Sequence, residues 1–115
     1  MLDLLRECHR VLIPGGSFSL AVPNARIFLE GYLRPDRFDK NSYCSYDAGL
    51  SYASKLDYVN YIAYMGGEHK HMFDEENLPF VLSEAGFKSI RLRDFDPAID
   101  LAVRRHESLY AIAYK

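Results

Sequence analysis

The sequence has no tryptophan, only two cysteines, and no apolar run near the roughly 18 residues that span a bilayer. A transmembrane helix is therefore not expected. Cys8 and Cys44 are too few for a secreted disulfide framework, and both are expected as free thiols in a reducing cytoplasm. No sign of charge dominates. Fourteen basic and sixteen acidic residues leave a net charge of −2, which supplies no strong field for nucleic acid or an anionic membrane. The stretch from Met1 to Leu12 carries charges throughout and lacks the unbroken apolar core and small-residue cleavage site of a signal peptide.

What is present is one small domain's worth of chain, 115 residues, unusually rich in tyrosine and phenylalanine. Nine Tyr and seven Phe must share an interior that takes up only about 65% of the unfolded chain's surface. Met1, Leu5, Cys8 and Leu12 recur at helical spacing, and Pro14-Gly15-Gly16 ends that helix. Met1 already lies inside the pattern with no N-cap before it, so the chain is expected to begin mid-fold. Ser17–Val22 alternates as a strand and Pro23-Asn24 ends it. A helical turn around Ile27–Tyr32 follows, broken at Arg34-Pro35-Asp36, and Asp39–Gly49 reads as a polar loop.

Residues 51–65 form a helix by length. Tyr58, Tyr61, Ile62 and Met65 share one face, Leu56, Val59 and Ala63 a neighbouring one, and Gly66-Gly67 closes it. So much apolar circumference implies contact on more than one side. Asp74-Glu75-Glu76 marks the next helix start, with Pro79 shifting the regular part toward Asn77 and Gly86 capping the end. Its buried stripe is Leu78, Val81, Leu82 and Ala85. Ile90–Arg93 is a strand with one wet face that ends or bulges at Asp94–Asp96, and 97–106 is a loop. Ser108–Tyr114 is apolar at both parities, which marks a central strand covered on both faces. The chain thus divides into 1–24 (helix and strand), 25–66 (aromatic helical insertion) and 67–115 (helix and two strands), a single partial α/β domain.

The run from Arg10 through Pro14-Gly15-Gly16 to Pro23-Asn24 resembles the helix and fifth strand of class I S-adenosylmethionine-dependent methyltransferases. His69–Asp74, Leu78, Leu82 and Glu84-Ala85-Gly86-Phe87 are similar to the helix before their sixth strand, and Glu107–Ala111 to their last strand. The nearest subgroup is the type 11-like methyltransferases. The resemblance spans 2–24 and 67–115 and implies the C-terminal half of a Rossmann-like fold. Its sheet would be three-stranded and mixed, with 107–114 central and antiparallel between 17–22 and 88–94.

It also implies methyl transfer from the sulfonium of S-adenosylmethionine to an unknown acceptor, with this segment forming the acceptor-side wall. The Gly-rich turn and ribose-binding acid that hold the cofactor in such folds have no counterpart here, since no G-x-G occurs. Alone, the chain is expected to bind no cofactor and to be inactive, with a missing N-terminal half as its partner. The alternative is a non-catalytic interaction module, a homodimer formed through the open edge of the strand at 17–22.

His69 and His71 are the weak catalytic candidates, because a near-neutral imidazole suits deprotonation of an acceptor. They also read as a polar lead-in to the following helix. A metal site, which needs about four ligands, is not expected of them. Asn24, at the carboxyl end of a strand, and Tyr58 and Tyr61, in the crowd of tyrosines at 43, 46, 52, 58, 61 and 64, are candidates to touch the acceptor. Packing is the plainer role for the tyrosines. Arg104-Arg105 reads as a solvated loop, and Asp94, Asp96 and Asp100 as scattered by strand phase.

Overall fold

The computed structural model describes residues 1–39, 43–44 and 54–115. Helix α1 (Leu2–Val11) runs into β1 (Ser17–Pro23) through a turn in which Gly15 takes φ +76, a conformation that favours glycine. Next come α2 (Ala25–Leu33), a 3-10 turn at Pro35–Arg37, and α3 (Leu56–Tyr64) with a 3-10 tail at Met65–Gly67. Then α4 (Asn77–Glu84), β2 (Lys88–Arg93), a 3-10 turn at Ala102–Arg104 and β3 (Ser108–Tyr114) complete the described order. None of the described helices is long and apolar enough to cross a membrane. Neither Cys8 nor Cys44 is in a disulfide, and both are half-buried.

The sheet order is β1-β3-β2. The last strand is central and antiparallel to both neighbours, as its two-sided apolar pattern and the resemblance implied. One term needs correction. The three-stranded sheet is not mixed, because both of its hydrogen-bonded pairings are antiparallel. β1 and β2 run the same way, and the strands do not pair with each other.

Helices α1 and α4 cover one face. Leu5 from α1, Leu78, Leu82 and Ala85 around α4, Phe73, Phe87, and Leu109, Ala111 and Ala113 from β3 form the main core. Phe18, Leu20 and Val22 of β1 pack against it, and Phe18 stacks on Phe87 at 5.2 Å between centroids. Each such side chain contributes about 1.5–3 kcal/mol on full burial. On the opposite face, Ser17, Ser19 and Ala21 of β1 are exposed, while Tyr110 of β3 is buried beneath Arg93 and Phe95.

The local differences have specific causes. α2 is longer than the expected turn at Ile27–Tyr32, because Asn24 caps it: its Oδ1 accepts from the Arg26 N–H at 3.0 Å. At α4 the Asp74 carboxylate accepts from the Glu76 and Asn77 N–H groups at 3.0 and 2.7 Å, so the regular helix begins at Asn77. α3 is shorter than 51–65, its first three expected residues lying outside the described ones. Its left-handed close falls on Met65 (φ 42), one residue ahead of the glycines. Leu56 on its second face is exposed, so among the described residues α3 packs chiefly through one side.

β2 ends at Arg93, but its bulge lies earlier. Between Lys88 and Arg91 the register against β3 shifts by one residue, with Ser89 at φ +48. The 97–106 loop contains the short 3-10 turn. Most of the expected loop at 39–49, with Tyr46 and Tyr52, lies outside the described residues.

Candidate functional site

The carboxyl end of β1 is where the three parts of the chain meet. Just past Pro23, the Asn24 N–H donates to the Glu107 carbonyl at the start of β3 (2.8 Å), and the Ala25 N–H donates to the Phe73 carbonyl (2.8 Å). Asn24 and Phe73 form an isolated parallel bridge there. The backbone alone thus ties α2 to the sheet and to the approach to α4.

Side chains reinforce the junction. Asn24 Nδ2 donates to Glu75 Oε1 at 3.0 Å and Arg26 Nε donates to Glu75 Oε2 at 2.6 Å. Burial pushes the Glu75 carboxyl up, but the hydrogen bonds from Arg26 and Asn24 outweigh it and hold the group below its ordinary value. Both polar atoms of the Asn24 side chain are therefore engaged, one in capping and one on Glu75. Of the candidate site residues, Asn24 lies at the expected strand end with its polar atoms turned to the fold.

His69 and His71 are held by different partners. His69 Nδ1 lies 2.6 Å from the Ile62 carbonyl, which can only accept, so Nδ1 carries a proton and Nε2 is the remaining ring nitrogen. His71 Nε2 lies 3.1 Å from Asn77 Oδ1, and its ring sits 4.6 Å from that of Phe73. Among the described residues no group of three or more His, Cys, Asp or Glu side chains gathers as a metal site would.

Tyr61 is fully buried and stacks on Phe28 at 5.6 Å. Tyr58 lies 4.5 Å from Phe38, which also stacks on Tyr43 at 5.2 Å. These rings, with Ile62, form a second apolar cluster between α2 and α3. A pocket of about 200 Å³ opens beside it, lined by Ile27, Gly31, Arg34 and Tyr43 among others. Neither Tyr58 nor Tyr61 lines it.

Two features escaped the reading of the sequence. Glu107, at the head of β3, is 6% exposed. Burial pushes its carboxyl above the ordinary value, and the nearby charges of Arg104 and His69 offset part of that. Its signal was present, since Glu107 leads into a strand that is apolar from Leu109 to Tyr114 and shares the core-facing parity of Leu109 and Ala111. The second is Arg93 with Asp100, a bidentate pair at 2.6 and 2.8 Å. Arg93 also donates to Ser19 Oγ across the sheet (2.8 Å) and its guanidinium lies 5.1 Å from the Tyr110 ring centre. Asp100 is thus drawn into a structural pair. Beside it an open cleft of about 440 Å³ is lined by residues including Phe95, Arg105, His106 and Tyr110.

Comparison of the chain with protein-family models, with curated proteins and with solved structures returned no match.

Proposed function

We propose that this chain is the C-terminal segment of a class I S-adenosylmethionine-dependent methyltransferase, supplying part of the sheet and the acceptor-side wall. The observation that carries the reading is the sheet order β1-β3-β2, with the last strand inserted antiparallel between two co-directional strands. That arrangement agrees with the one the motifs at 10–24, 69–87 and 107–111 imply. The junction at Asn24 lies beyond the carboxyl end of β1, where open α/β sheets gather ligands. In such an enzyme the protein's work is to align the sulfonium methyl with the acceptor, and to take up a proton where the acceptor must lose one.

The cofactor residues would come from a preceding segment. Reading the coding DNA upstream of the Met1 codon, through roughly one hundred codons of one domain half, tests the proposal. An open frame encoding a strand, a Gly-rich turn and a later acidic residue is expected. The longer product should then bind S-adenosylmethionine by calorimetry. A stop codon close upstream, with no such half nearby, overturns it.

A second reading, an interaction module, is favoured by one observation. Among the described residues β1 pairs only with β3, and Ser17–Pro23 carries no charge to guard its other edge. Sedimentation would then show a dimer at micromolar concentration. The exposed Ala21, changed by Ala21→Lys, should weaken that dimer about tenfold with the circular dichroism unchanged.

A further inference from the structure

The cleft beside Arg93, about 440 Å³, has the size of a small-molecule site, for which roughly 300–1,000 Å³ is usual. It opens at the carboxyl end of β2 and the start of β3. Because β1 and β2 run the same way, this is the same edge of the sheet as the Asn24 junction. Ligands of open α/β sheets collect at that edge.

Two guanidinium groups bracket the aromatic lining. Arg93 lies 5.1 Å from the centre of the Tyr110 ring, and Phe95 meets that ring edge-on at 5.9 Å. Arg105 in turn lies 5.3 Å from the centre of the Phe95 ring. The two arginines differ in what they still have to give. Arg93 is spent on Asp100, Ser19 Oγ and the Asp94 carbonyl. The Tyr110 hydroxyl is engaged too, donating to the Arg104 carbonyl at 3.2 Å. Arg105 has its side-chain donors to spare. Among the described residues its guanidinium forms no ion pair and no hydrogen bond, although Asp94 lines the same cleft.

A guanidinium resting on a ring keeps its planar fork of donors open to one partner, and the shape that fits the fork is a carboxylate. His106 and Ser108 also line the cleft, and each can donate a further hydrogen bond. An organic cation finds both rings already carrying a guanidinium. The Asp94 carboxylate disfavours a second negative charge on the ligand. We propose that this cleft binds a small organic monocarboxylate, its carboxylate paired with Arg105 and its apolar body on the lining that Phe95 and Tyr110 provide. The proposal does not rest on the methyl-transfer reading. Its test contains no methyl donor, so either can fail alone.

The isotope-labelled chain is titrated with sodium benzoate at pH 7, and NMR follows the amides of Phe95, Arg105 and Ser108. Benzamide, the uncharged analogue, and sodium chloride are the controls. Saturable shifts with benzoate are expected, and benzamide should bind at least about tenfold more weakly. Arg105→Gln, at an exposed position, should weaken benzoate by about tenfold. Arg6→Gln, on the exposed face of α1, should leave it unchanged. Shifts that fail to saturate, that benzamide or chloride reproduces, or that survive Arg105→Gln overturn the site. If Arg105→Gln does not fold, the comparison of benzoate with benzamide on the unmodified chain decides.

Discussion

Asp100, half-buried, and Glu107, buried, lie on one short stretch of chain, and their surroundings push their carboxyls in opposite directions. The hydrogen bonds from Arg93 hold Asp100 below the usual carboxylate value. Its contribution to stability is present above the unfolded carboxylate pKa and is lost as pH falls through the lower folded value. Burial holds Glu107 above its usual value, so the folded chain is penalised as pH rises past the unfolded value toward the folded one. Asp100→Asn is therefore expected to lower the thermal midpoint at pH 7 by a few degrees, with the difference shrinking toward pH 2. Glu107→Gln should raise the midpoint at pH 7 by a few degrees, about the effect of half to one kcal/mol, and leave it unchanged near pH 3. Scanning calorimetry across that range checks both. A Glu107→Gln protein that is less stable at pH 7 would show that the carboxylate is already well matched.

At the scale of the element, α2 carries the sharpest test of packing. Gly31 lies within this helix with an ordinary φ, where alanine is normally better by about 1 kcal/mol. Here a Cβ would sit 2.3 Å from the Phe38 ring. Phe38 is held between Phe28, Tyr43 and Tyr58, so it cannot yield without breaking the aromatic cluster. Gly31→Ala is expected to destabilise by about 1–3 kcal/mol in urea titration, reversing the helix-propensity rule. A stabilised variant would mean that the ring moves freely.

The same scale shows what could be read in advance. β3 was legible because both of its faces are apolar, and α1 because Leu5, Cys8 and Leu12 keep helical spacing. The start of α4 was legible because Asp74 and Pro79 constrain it from both sides. The bulge in β2 was not, since nothing about Ser89 marks it for a left-handed backbone. Nor was the full length of α2, whose cap at Asn24 read as a strand end. Arg93 and Asp100 are seven residues apart, and their meeting depends on a loop that folds back, a relation without periodicity. Glu107 was missed for another reason. An acid is ordinarily taken for surface, and only the strand's parity turns it inward.

Across the whole molecule there are two apolar clusters of unequal weight. The larger couples α1 and α4 to the sheet, and the smaller lies between α2 and α3. They are joined at the Asn24–Glu75–Arg26 junction and the Asn24–Phe73 bridge. Leu82→Ala, at a fully buried site of the larger cluster, should remove about 2–5 kcal/mol from global stability. Ile62→Ala, 2% exposed in the smaller one, should chiefly raise amide exchange in α2 and α3 while the strands stay protected. Equal loss of protection in β3 would make the two clusters one cooperative unit.

The placing of the latest strand at the centre bears on how the protein is made. Among the described residues β1 and β2 do not pair with each other, and each finds its strand partner only in Ser108–Tyr114. A ribosome adding about 5–20 residues per second exposes β1 several seconds before that strand is translated. During that interval the three described strands cannot close into their sheet, and the apolar side chains of β1 that face the α1–α4 core wait for Ser108–Tyr114. Nascent chains of this protein should therefore be strong clients for chaperones that bind at the exit tunnel. Release from such a chaperone should track the emergence of residues 108–114 rather than the completion of any helix.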